Sequence, residues 1–242
     1  MADETQHVIR SFDQELQRLR DMISEMGGLV ERELVLSTAA VLERDSNAAT
    51  QAVELDPRVD ALERDVEQFV IRMLALRQPV AVDLRQVVGA LKITHDLERV
   101  GDYAANLAKR SIVLAEFSMP LSLGGLAHMA RLVQEALKTV IDAVGEGDTD
   151  KAVQVWQSDL AVDDLYTTIF RELITYMMED PRNITPCTHL LFIAKNLERI
   201  GDHATNIAET LYYSVKGESL PTVRPKGDTS PYSAVRMKEP TR

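Results

Sequence analysis

The segment Leu97-Glu98-Arg99-Val100-Gly101-Asp102 returns as Leu197-Glu198-Arg199-Ile200-Gly201-Asp202, displaced by 100 positions. Between 96–109 and 196–209, eight of fourteen positions are identical, Asn106 and Asn206 among them. Self-similarity of this kind marks two copies of one structural unit, so whatever fold the chain adopts must be built twice. In each copy a Glu and an Asp four positions apart share one face of a helix, about 6 Å apart at Cα.

The hydrophobic pattern gives each copy three helices. Phe12, Leu16, Leu19, Ile23, Met26 and Val30 alternate spacings of three and four, which marks an amphipathic helix over roughly 8–44. Gly27-Gly28 predicts a bend in it, because each mid-helix glycine costs ~1 kcal/mol relative to Ala. Val59, Leu62, Val66, Phe69 and Met73 form the stripe of a second helix that Gln78-Pro79 ends. Asp83 with Gln86 three positions on reads as the N-cap of a third, running to about Ala115. The pattern then restarts at Gly124-Gly125. Leu132, Leu137, Val140 and Val144 lie on a fourth helix, and Val155, Val162, Leu165, Ile169 and Leu173 on a fifth. Thr185 with Pro186 offers an N-cap and first-turn proline for a sixth. No stretch reads as a strand pair. The expected fold is all-α: two tandem three-helix bundles over 8–115 and 124–216, with the Pro-rich, basic segment 217–242 a disordered tail.

Composition agrees. Aromatics are only 5% of 242 residues, which suits helix-on-helix packing better than sheets. The lone Cys187 excludes an intramolecular disulfide and a cysteine metal site. The acidic, polar start (Met1-Ala2-Asp3-Glu4) is no signal peptide, and no apolar run reaches the ~20 residues that cross a bilayer. A cytoplasmic protein without direct membrane insertion is expected. Net charge of −11 speaks against a duplex-DNA contact face, so no nucleic-acid partner is expected. Trp156 and the methionines fall in helical stripes and read as core. There is no Gly-rich phosphate loop, no Gly-x-Ser-x-Gly and no nucleophile paired with a base, so no catalytic residue is assigned.

The chemistry-bearing residues are carboxylates. Besides Glu98/Asp102 and Glu198/Asp202, the i,i+4 spacing recurs in Asp56/Asp60 on the second helix and Asp159/Asp163 on the fifth, 103 apart. On a helical wheel Glu98 and Asp102 lie ~40° apart, opposite Val100, Ala104 and Leu107, which places them on the outside of the helix. Antiparallel packing would let the second-helix pair face the third-helix pair. A solvated face is the commoner reading of one such turn, and Asp56 before Pro57 also reads as an N-cap. The fifth helix keeps both acids without the proline, however, and the turns repeat Arg99/Arg199 and Asn106/Asn206 as supporting residues. Four carboxylates gathered without a cation would repel, since one pair at ~4 Å costs about 4 kcal/mol at an effective dielectric of 20. Oxygen-only ligands favour hard cations. His95 and His203 occupy non-equivalent places and read as incidental. Gly101 and Gly201 read as sites of close helix approach.

The duplicated Glu-Arg-(Val/Ile)-Gly-Asp turn, its Asp-x-x-x-Asp companions and the Glu25-Met26-Gly27-Gly28 entry together resemble the PhoU family over about 8–216. The resemblance implies two three-helix bundles, each with a carboxylate metal cluster. Mapped here, the ligands are Asp56, Asp60, Glu98, Asp102, Asp159, Asp163, Glu198 and Asp202, holding divalent or trivalent ions (iron, manganese, magnesium or zinc). The leading acid of the second-helix motif is Asp here where the family has Glu, which shortens its reach by one methylene. The resemblance also implies a negative regulator of phosphate uptake and of the phosphate-starvation response, linking the phosphate ABC transporter ATPase to a sensor histidine kinase. A homodimer is the expected assembly. The alternative is a carboxylate-bridged metalloenzyme on a helical bundle.

Overall fold

The computed structural model describes residues 2–117 and 122–220, with side chains from Phe12 onward. The six expected helices are α1 (Ala2–Leu42), α2 (Ser46–Arg77), α3 (Ala81–Leu114), α4 (Gly124–Glu146), α5 (Thr149–Glu179) and α6 (Ile184–Lys216), and no strand occurs among the described residues. Most of the segment expected to be a tail, 221–242, lies outside the described residues, as do 118–121 of the joining loop.

The repeat extends to the joints. Asp45 Oδ1 accepts from the backbone N–H groups of Asn47 (2.9 Å) and Ala48 (3.1 Å) to cap α2. Asp148, 103 positions on, accepts from Asp150 (2.9 Å) and Lys151 (3.1 Å) to cap α5. Gln78 ends α2 in the left-handed region (φ 47°), as Gly147 (φ 69°) and Gly217 (φ 78°) end α4 and α6.

Several local expectations differ from the structure. The helix α1 runs unbroken through Gly27 and Gly28. Asp83 does not open α3, which starts at Ala81 after the extended Val80; the acid sits in the first turn, where it still favours the helix dipole. Thr185 lies inside α6, and the turn before it is set by Asp180, which accepts from the Arg182 N–H at 2.9 Å. Asp56 is no N-cap, because α2 began ten residues earlier and carries Pro57 in its interior.

The helices α1–α3 pack on one another, as do α4–α6, and the two halves join through α3 against α6 and α1 against α4. Both pairings are antiparallel. Across the first, Asp96 bonds His203 at 2.7 Å and Arg110 approaches His189 at 3.5 Å. Across the second, Gln134 donates to Thr38 at 2.6 Å. Tyr103 and His203, which hold the same place in the two copies, stack on each other with ring centroids 5.7 Å apart. That contact marks the axis relating the halves. One apolar core crosses it, from Met26, Leu34, Met73 and Leu97 to Met129, Leu137, Leu173 and Ile200.

Gly27 packs closely against α4, and Gly28 does not. A Cβ at Gly27 would lie 2.9 Å from Ile141 Cγ2 of α4, whereas one at Gly28 would meet nothing within 4 Å. Both positions lie in the middle of α1, Gly27 buried against α4 and Gly28 exposed, so the difference between their alanine variants reports the contact between halves. Gly28→Ala is expected to stabilise by ~1 kcal/mol from helix propensity alone. Gly27→Ala should be at least ~1 kcal/mol less favourable than that, because α4 must shift. Chemical denaturation of both variants checks this, and equal gains would contradict the close approach.

Candidate metal centres at the helix seams

α3 has to bury residues toward α1, α2 and α6 at once, and this decides where its acids go. Val100, Ala104 and Leu107 are fully buried as the wheel predicts. Glu98 and Asp102 are not on the outside, however. They are half-buried on the flank that meets α2. A wheel computed for one helix with one buried face misses this, because α3 packs on three neighbours.

In the first half the structure gathers Asp56 and Asp60 of α2 with Asp102 of α3, close enough that their charges act on one another. Burial, Asp102 and Asp60 raise the Asp56 carboxyl, while Lys109 opposes them from 3.9 Å. A fourth carboxylate that the motif does not contain, Glu33 of α1, lies beneath this group. Glu33 is 0% exposed and neither of its oxygens has a hydrogen-bond partner. Burial first, and then the charge of Asp56, push its pKa up to about 9. Gly101 is why the cluster closes: a Cβ there would lie 3.3 Å from both Glu33 Oε2 and Val59 Cγ1. Glu98 sits at the edge of the cluster, raised by burial and by Asp102 and Glu63.

The repeat hid Glu33, because the equivalent position in the second half is Ala136. The available signal was its spacing. Glu33 falls seven positions after Met26 and three after Val30, on the apolar stripe of α1, where a charge is out of place.

The second half resolves the same arrangement differently. Asp159, Asp163 and Glu198 are buried (5%, 4% and 6% exposed), with Asp202 half-buried beside them. Thr205 donates to Asp159 Oδ1 at 3.3 Å. Lys195 Nζ donates to Glu198 Oε1 at 2.8 Å, while Glu198 Oε2 has no partner. Burial raises the Glu198 carboxyl, with Lys195 opposing and Asp202 and Asp163 adding to the rise.

The eight expected carboxylates thus line two seams, α2–α3 and α5–α6, while among the described residues the group whose ligand atoms all lie within 4.8 Å of one another is Glu63, His95 and Glu98. The supporting residues divide. Arg99 pairs with Asp102 at 3.1 Å, exposed and so worth little. Arg199 instead reaches across the axis, 5.5 Å from the centroid of the Tyr103 ring. Asn106 is exposed, and Asn206 lines a groove with Lys92, His95 and Asp96. The histidines are not incidental. His203 bonds Asp96 between the halves, and His95 stands with Glu63 and Glu98.

Buried carboxylates without hydrogen-bond donors are costly unless protonated or matched by a cation. The unpartnered oxygens of Glu33 and Glu198 fit a hard cation bound by oxygen, and no cysteine competes as a ligand. The PhoU domain model matches the chain twice, over 23–111 and 126–211, once on each carboxylate cluster. The chain belongs to the PhoU family. It is 48% identical over 225 residues to the phosphate-specific transport system accessory protein PhoU homolog of Caulobacter vibrioides (strain NA1000 / CB15N), covering 93% of this chain and 98% of that one. The protein of the same name in Rhizobium meliloti (strain 1021) is 48% identical over 92% of this chain and 94% of that one. The crystal structure of PhoU from Pseudomonas aeruginosa superposes with a TM-score of 0.84 at 41% identity, covering 86% of this chain and 100% of that one. The phosphate transport system regulatory protein PhoU from Streptococcus pneumoniae superposes at 0.80 with 29% identity, over 87% and 100%. These PhoU relatives are named as accessory or regulatory proteins, not as enzymes.

Glu33 sets a pH dependence whose sign follows from its burial. Its folded pKa of about 9 lies above the ordinary 4.5, so the folded chain keeps a proton that the unfolded chain gives up. Stability from this group is complete below the ordinary value and is lost as pH rises toward 9. Glu33→Gln removes the dependence. In chelator-treated protein the variant should melt ~2–4 °C or more above wild type at pH 8, with the two converging near pH 5, and thermal denaturation across that range checks it.

Proposed function

We propose that the chain is a metal-binding regulator of phosphate transport that holds phosphate uptake and the phosphate-starvation response down when phosphate is plentiful. The observation that carries this reading is near-half identity, along almost the whole length, to accessory proteins of the phosphate-specific transport system. The two carboxylate clusters support the metal-binding part. The transporter ATPase and a sensor histidine kinase are the partners the reading assigns. Acidic surface offers them charge complementarity, which steers encounter and selects partners. The described residues assemble no nucleophile with its base, so binding rather than turnover is the reading the site supports best.

Two experiments test it. In a strain lacking the gene, phosphate-starvation genes should stay on in phosphate-rich medium, and normal repression there would refute the regulatory reading. Elemental analysis of gently purified protein tests the metal. The Asp56→Asn, Asp60→Asn, Asp102→Asn variant should lose the metal of the first seam, and the corresponding Asp159→Asn, Asp163→Asn, Asp202→Asn variant that of the second. Unchanged metal content in both would show that the acids only carry charge.

A further inference from the structure

The two halves differ beside their carboxylate clusters, and the repeat serves as an internal control. In the first half Glu63 of α2 and His95 and Glu98 of α3 each offer a ligand atom within 4.8 Å of the others. His95 Nδ1 stands 3.3 Å from Glu63 Oε1. The equivalent positions in the second half hold Tyr166, Lys195 and Glu198. There the lysine ammonium bonds the glutamate at 2.8 Å and lies 4.7 Å from the centroid of the Tyr166 ring. The second half therefore has a cation of its own at this place. The first half has in its stead an imidazole between two carboxylates.

We propose that Glu63, His95 and Glu98 form a separate site for a divalent transition cation of the zinc or iron(II) class, and that Lys195 fills the corresponding place in the second half. The donor set selects the class. An imidazole with two carboxylates suits zinc and iron(II), whereas magnesium and calcium prefer oxygen alone. Three protein ligands leave a fourth position for water or for a group from a partner. His95 and Glu98 sit three positions apart on one face of α3, and Glu63 faces them from α2. The positive charge in the second half is a second observation. There Lys195 takes the place of His95 and pairs with the repeated glutamate.

The proposal shares Glu98 with the carboxylate-cluster reading and rests on it in nothing else. The test uses the full, chelator-treated chain and zinc alone, followed through the ring-nitrogen resonances of its histidines. One equivalent of zinc should shift His95 and leave His128, His189 and His203 in place. His95→Lys copies the second half, so the fold should be kept while zinc affinity at this site falls at least tenfold. Glu63→Gln should lower it similarly, His128→Ala should leave it unchanged, and tenfold excess magnesium should not displace the zinc. Unmoved His95 resonances, or equal zinc affinity in wild type and His95→Lys, would overturn the proposal. The Asp→Asn triple variants separate the two readings. If they bind zinc with the same shift at His95, this site stands whether or not the carboxylate clusters hold metal.

Discussion

The antiparallel pairing of α3 with α6 governs the rest of the molecule. These helices carry the duplicated turns, meet at the Tyr103–His203 contact, and bury Val100, Ala104, Ile200 and Ala204 completely. With one face of each committed to the other, and another to α1 or α4, the acids of the two turns have only the flanks toward α2 and α5. The carboxylates are thereby driven into seams rather than into water. Small residues make this possible. Gly101 admits Val59 and Glu33, and Gly89 admits Ser214 of α6.

Burial turns the charge into chemistry. A carboxylate exposed on a helix is a solvated group of little consequence to stability. The same carboxylate in a seam must be protonated, paired or bound to a cation. The chain shows the first two answers. Glu33 holds its proton, Glu198 takes Lys195, and Asp102 takes Arg99 at the rim. The unpartnered oxygens that remain are where a metal would act, so the two halves present similar folds with different charge compensation.

Much of this was legible in the sequence. The repeat, the six helices and the four acidic pairs at i,i+4 follow from spacing and residue type. The features that were not legible have two causes, an unrepeated residue and contacts between helices. Glu33 has no repeat partner, because Ala136 stands in its place, so a search for duplicated residues passes over it. The seam position of Glu98 and Asp102 depends on α3 having three neighbours, which a single-helix wheel does not contain. The close packing of Gly27 depends on Ile141 from the other half, and His95 meets Glu63 only because α2 packs on α3. Apart from Glu33, tertiary contact in each case overrides a rule that is sound for one helix alone.

The account stands or falls on cations at the seams. Crystals grown with saturating manganese, measured for anomalous scattering at the manganese edge, give the most direct view. The account predicts manganese peaks at both seams, one within coordination distance of Asp56, Asp60 and Asp102 with Glu33 alongside, the other against Asp159, Asp163, Glu198 and Asp202. A map with ordered carboxylates at both seams and no manganese at either would contradict it.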